Sequence, residues 1–151
     1  MSPRTLDVRE SFIQGLFRLR GHSRRIRGFC RRLRDAVVPN PDPVEASLAE
    51  EIVLFTRRFL LREYLPLEAA LAAQILHLGP TPLAAEARLR DEERIQLLGL
   101  AEGLRQSVAV GTVGDATCFR WHALRLLGIL EARCRREDEL SALLRSTPGV
   151  L

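Results

Sequence analysis

The chain has 151 residues, room for one domain with a substantial core, and 46% of them are hydrophobic while only 5% are aromatic, the profile of a helical protein. It contains no apolar run of about 18 residues, and its N-terminus, MSPRTLDVRE, lacks the apolar stretch of a secretory signal, so neither a membrane span nor export is expected and the cytoplasm is the expected compartment. All 23 basic residues are Arg, set against 19 acids for a net charge of +4; the absence of Lys reads as coding bias of a GC-rich genome. The three cysteines, Cys30, Cys118 and Cys134, show no CxxC or zinc-ligand spacing and read as reduced core thiols.

Residues 6–37 contain no Pro and place Phe12, Leu16, Leu19, Ile26, Phe29, Cys30, Leu33 and Val37 at helical spacing. His22 interrupts that stripe. Arg18, Arg20, Arg24, Arg25, Arg27, Arg31, Arg32 and Arg34 crowd the other faces. Such a cluster is ordinarily a solvated surface, and Arg20, Arg24, Arg27 and Arg31 are the candidates if it binds an anion instead.

Pro39, Pro41 and Pro43 end the first helix and make a turn. A second helix over 44–78 carries Leu48, Ile52, Phe55 and Phe59, then meets Pro66, which predicts a kink there, and Gly79 offers a C-terminal cap. Beyond Pro66 the stripe reads Leu61, Leu65, Glu68, Ala72, Ile75. A carboxylate thus stands where a core side chain belongs. A third helix over 82–110 has the stripe Leu97, Leu100, Leu104 and Val108; continued upstream it passes through Glu93, whereas a slightly rotated stripe (Ile95, Leu98) passes through Glu92, and the pattern alone leaves both open. After a short connection at 111–114, Asp115 or Thr117 caps a fourth helix over 115–145. Its inward positions are Phe119, Ala123, Leu126 or Leu127, Leu130, Arg133 or Cys134, Glu137 and Leu140.

Four helices with short connections predict an all-α fold, an antiparallel up-down-up-down four-helix bundle in a single domain. His22, Glu68, Glu92 or Glu93, and Arg133 with Glu137 or Asp138 each fall near mid-helix on an apolar stripe. Their recurrence on all four helices points to one shared interior polar cluster.

This layout resembles the hemerythrin-like, or HHE cation-binding, domains over nearly the whole chain. The first-helix match is Gly21-His22-Ser23. The segment LPLEAALAAQIL resembles the family's Leu-Pro-x-His-x-x-x-Glu-Glu-x-x-Leu, with Glu68 in place of His and Ala72 and Ala73 in place of the carboxylates. RDEERI resembles the acidic-His pattern of the third helix, with Glu92 replacing His. RCRREDEL resembles the fourth-helix motif, with Arg133 replacing His while Glu137 and Asp138 keep the acids. The resemblance implies a di-iron centre at these positions, but neutral imidazole is the nitrogen ligand iron takes, and Arg133 brings a permanent positive charge. His77 and His122 fall outside the motif.

The expectation is therefore a metal-free bundle whose interior site is replaced by an ion-pair cluster of His22, Glu68, Glu92, Arg133 and Glu137. No cofactor is expected, and the function is that of a binding or regulatory scaffold for a protein partner or small ligand that the sequence does not name. One alternative is a residual carboxylate-rich iron or redox-sensing site using His22, Glu68, Glu92 and Asp138. Another is a nucleic-acid or anionic-partner binder working through the first-helix Arg face, although nucleic acid is not the expected partner. Without a phosphate-binding Gly-rich loop, a nucleophile elbow or Ser/His/Asp spacing, no enzymatic activity is expected.

Overall fold

The computed structural model describes residues 3–37, 45–77, 82–109, 112–113 and 116–146. They form four helical runs: α1 (Pro3–Val37); a run in three parts, α2 (Ala46–Phe55), a π-helical segment (Thr56–Tyr64) and α3 (Leu65–His77); α4 (Pro82–Ser107); and α5 (Ala116–Ser146). The expected turn at 39–43, the cap at Gly79, the connection at 111 and 114, the Asp115 cap and the tail after Ser146 lie outside the described residues, as do the side chains of Phe12, Leu16, Asp138 and Leu140.

The fold is all-α but for one antiparallel ladder, β1 (Val108–Ala109) with β2 (Thr112–Val113), which pairs Val108 with Val113. The sequence predicts helix as far as residue 110; the helix ends instead at Ser107. The β-branched residues Val108, Thr112 and Val113 favour extended backbone, and the Ser107 hydroxyl turns back to donate to the Gly103 carbonyl at 2.8 Å. No described helix is long and apolar enough to cross a membrane.

The core follows the apolar stripes. α1 buries Leu19, Ile26, Phe29, Cys30, Leu33 and Val37, leaving its arginines from Arg18 to Arg34 outside. α4 buries Leu83, Ala87, Leu97, Leu100 and Leu104, and α5 buries Phe119, Ala123, Leu126, Leu127 and Leu130. α1 packs on α3 and α5, and α4 packs on α3 and α5, so the four runs enclose one interior.

The π-helical segment explains how α2 and α3 present one continuous face. Pro66 has no N–H to give to the turn before it, and in an α-helix its ring would press on the Arg62 carbonyl. The wider π turn relieves both constraints; the Leu65 N–H bonds to the Leu60 carbonyl, five residues back. The extra residue shifts the stripe, so Phe59, Tyr64 and Glu68 all point inward although 59 and 64 are five apart. Two glycines allow close approach between runs. A Cβ on Gly15 would lie 2.8 Å from a Leu71 methyl, and a Cβ on Gly103 would collide with the His122 ring.

Candidate functional site

The interior polar cluster is built by α3, α4 and α5. Glu68, in the first turn of α3, is 2% exposed, Arg133 on α5 is 2% exposed and Arg90 on α4 is 5% exposed. Charged side chains so far from water persist only with partners. Oε2 of Glu68 accepts from Arg133 Nη1 at 2.7 Å and from Arg90 Nη1 at 3.1 Å. Arg133 spends its remaining donors on α4, with Nε to Glu93 at 3.2 Å and Nη2 to the Arg90 carbonyl at 2.9 Å.

A second layer closes the network toward the surface. Arg136, one turn beyond Arg133, reaches Glu93 at 2.5 Å and Glu86 at 3.2 Å, and Glu86 also accepts from Arg90 Nε at 2.9 Å. Three carboxylates thus meet three guanidiniums, and the interior charges cancel. Burial works against the charge on Arg90, but Glu68 and Glu86 outweigh it and hold the guanidinium more firmly protonated than usual. Arg136 follows the same pattern through Glu93 and Glu86. Tyr64 lies against this cluster, with the Arg133 guanidinium carbon 5.9 Å from its ring centre. Burial and the Glu68 carboxylate push its hydroxyl well above the usual tyrosine range, so it remains a neutral phenol.

Two residues of the expected cluster meet here and three stand elsewhere. Glu68 and Arg133 are in direct contact. Glu92 is exposed, and Glu93 takes the inward position, because only 93 continues the stripe through Arg90, Leu97, Leu100 and Leu104. Glu137 is drawn to α1, where it meets Arg27 at 3.4 Å. His22 is half-buried, edge-on to Phe59 with ring centres 5.1 Å apart, and makes no contact with Glu68 or Arg133; burial lowers its pKa despite the opposing pull of Glu63. Arg90, Glu86, Arg136 and Tyr64 were not anticipated as members. The signal was present for three of them: 86, 90, 93, 97, 100 and 104 share one helical face, and 136 lies one turn from 133.

These residues do not fit a di-iron centre. The guanidinium of Arg133 occupies the position the resemblance assigns to a nitrogen ligand, and Glu68, Glu86 and Glu93 already accept from arginines. His122 turns its Nδ1 to the Cys118 carbonyl at 2.7 Å, and His77 is exposed. Among the described residues no group of three or more His, Cys, Asp or Glu is placed to hold a metal ion. The void lined by Ser23, Tyr64, Arg90 and Arg133 measures about 10 Å³, the room of a single water.

On α1, Arg25, Arg27, Arg32 and Arg34 are tied to Glu63, Glu137, Glu51 and Glu131. Arg20, Arg24 and Arg31 are exposed and have no ion-pair partner among the described residues. Comparison with known proteins finds no family model that matches this chain, no similar curated protein and no similar solved structure.

Proposed function

We propose that this chain is a metal-free relative of the hemerythrin-like domains, a single antiparallel up-down-up-down bundle bent near Pro66, that serves as a binding or regulatory scaffold rather than as an enzyme, in the cytoplasm. The observation that carries the reading is Arg133: its guanidinium lies 2.7 Å from Glu68 in the interior, at a position where the resemblance implies a metal ligand. The up-down arrangement is supported by the order of the cross-helix pairs. Arg27 pairs with Glu137 while Arg34 pairs with Glu131, and Arg25 pairs with Glu63 while Arg32 pairs with Glu51. In both series one partner number rises as the other falls.

Each interior carboxylate is engaged by two guanidiniums, Glu68 through Oε2 alone while its Oε1 is buried without a hydrogen-bond partner, and this charge pairing favours a structural role over a metal-binding one. Its contribution is to hold α3, α4 and α5 in one register, since Arg133 on α5 bonds to both α3 and α4. Elemental analysis of protein purified from its native host is the test. The expected result is no stoichiometric iron; about two metal ions per chain, or the visible absorption of an oxo-bridged pair, overturns the reading.

A second reading, an anionic partner on α1, is favoured by the exposure of Arg20, Arg24 and Arg31 without carboxylate partners among the described residues. Nucleic acid is not the expected occupant: binding no tighter than about 10 μM near 150 mM salt is expected, as for non-specific contact. A submicromolar complex that weakens steeply with salt would put this reading first.

A further inference from the structure

Cys30 on α1 and Cys134 on α5 are too far apart in sequence for their spacing to suggest any pairing, but the fold brings the two thiols together. Two polar rungs bracket them. Arg27, one turn before Cys30, donates to the Cys134 carbonyl at 3.1 Å, and Arg34, one turn after, clasps Glu131 at 2.7 Å. Between these rungs Cys30 and Cys134 line the same groove, close enough that each thiol perturbs the other. The groove is open, measures about 430 Å³ and is lined also by Arg27, Arg31, Arg34, Arg135 and Glu131. Cys30 is buried and Cys134 is partly exposed. Arg31 and Arg135 have no ion-pair partner among the described residues.

We propose that Cys30 and Cys134 form a dithiol site that exchanges with low-molecular-weight disulfides bearing carboxylates, drawn into the groove by Arg31 and Arg135. The chemistry is that of thiol–disulfide exchange. The Cys134 thiolate attacks one sulfur of R–S–S–R; a Cys134–S–S–R bond forms, the R–S–S–R bond breaks, and the departing RS⁻ takes a proton. The Cys30 thiol then gives up its proton, its sulfur attacks Cys134, and the mixed disulfide breaks to release a second RS⁻, which is protonated in turn. Two protein thiols are oxidised to one Cys30–Cys134 disulfide, and one R–S–S–R is reduced to two RSH.

The roles follow from position. Cys134 is the more exposed of the two residues, and the neighbouring Cys30 thiol, with the charges of Arg27 and Arg90, lowers its thiol to about 7 against burial and the Glu137 carboxylate. Cys30, inside, is pushed well above the usual thiol range by the neighbouring Cys134 thiol and by burial, which keeps it a protonated resolving thiol until the mixed disulfide forms. A carboxylate on the incoming disulfide is the group that a guanidinium recognises in paired hydrogen bonds. The resulting bridge would tie α1 to α5 across the groove.

The test exposes the whole chain to oxidised glutathione or to the uncharged bis(2-hydroxyethyl) disulfide, alkylates remaining thiols at intervals, and maps the products by mass spectrometry. Wild type is expected to finish with a Cys30–Cys134 disulfide and an alkylated Cys118. Cys30→Ser is expected to stop at one glutathione adduct on Cys134, and Cys134→Ser to give neither product at Cys30. Arg31→Gln with Arg135→Gln should slow the glutathione reaction about ten-fold, the loss of roughly one charge-assisted contact, and leave the uncharged reagent within about two-fold. First modification at Cys118, or reaction of all three thiols at the rate of the urea-unfolded chain, overturns the proposal on wild-type protein alone, whatever the variants' stability. Equal slowing of both reagents, or of neither, overturns the carboxylate recognition.

Discussion

The interior between α3, α4 and α5 and the outer face of α1 are built from the same two side chains, arginine and glutamate, and the difference between them is water. Inside, each carboxylate accepts from two arginines and the Arg133 guanidinium serves two carboxylates and a backbone carbonyl. Outside, Arg32 and Glu51 form a single pair that is mostly solvated on both sides. An exposed pair exchanges one set of good partners for another. A buried pair has no alternative partner, so removing one member strands the other in a medium that cannot solvate it. The strength of an ion pair here is therefore set by its address, not by its geometry: the exposed Arg32–Glu51 contact at 2.9 Å is about as short as the buried ones.

The largest effect that would break this contrast is at Arg133. Arg133→Met alone and Glu68→Leu alone should each cost roughly 3–5 kcal/mol, and the double change should recover most of that loss. Recovery should be substantial because Arg90, deprived of Glu68, keeps Glu86 at 2.9 Å. Urea unfolding of the four proteins measures the coupling; additive losses under about 1 kcal/mol would mean that the buried pair behaves like a surface one.

Gly103→Ala probes the same α4–α5 seam where packing, not charge, holds it. The added methyl runs into the His122 ring, which is held by the Cys118 carbonyl and lies edge-on to Trp121. Overpacking should cost about 1–3 kcal/mol and outweigh the gain of up to about 1 kcal/mol from replacing a helical glycine. Thermal unfolding reads the net loss, and His122→Ala in the same chain should restore it. A stabilised single variant would show that the seam is loose enough for the ring to move aside.

On the solvated side, Arg32→Gln should change stability by less than about 1 kcal/mol, with the remaining effect fading between low and about 1 M salt as the charges are screened. A loss comparable to that of Arg133→Met would erase the distinction between the two regions. The smallest effect concerns His22. Burial beside Phe59 lowers its pKa in the folded state, so the unfolded chain binds the proton more readily. Its contribution is complete above the unfolded value, about 6.5, and declines as the pH falls toward the lower folded value. His22→Gln should flatten that part of a stability-against-pH curve, and an unchanged slope would place the titrating group elsewhere.

The placement of Glu68 on an apolar helical face was legible because helical periodicity is local: 65, 68, 72 and 75 share a face whatever lies opposite. The same logic, applied along 86, 90, 93 and 97, would have selected Glu93 over Glu92, but the two adjacent stripes compete until a neighbouring helix decides which faces inward. By spacing alone, Arg133 and Cys134 are alternatives for one inward position. Neighbouring residues on a helix point about 100° apart, and α5 has neighbours on two sides, so Arg133 turns to α3 and α4 while Cys134 turns to α1.

What the sequence determined by itself is the helical content, the four runs, and most of the apolar positions that each run buries, because spacing, proline and glycine act within a few residues. The tertiary structure alone decided the partners. That Arg90 joins Arg133 on one carboxylate, that His22 leaves the polar centre for Phe59, and that Cys30 meets Cys134 all depend on which faces oppose each other across the bundle. The π turn before Pro66 contributes to that choice by adding one residue to the stripe, and helical periodicity counted at 3.6 residues per turn does not contain it.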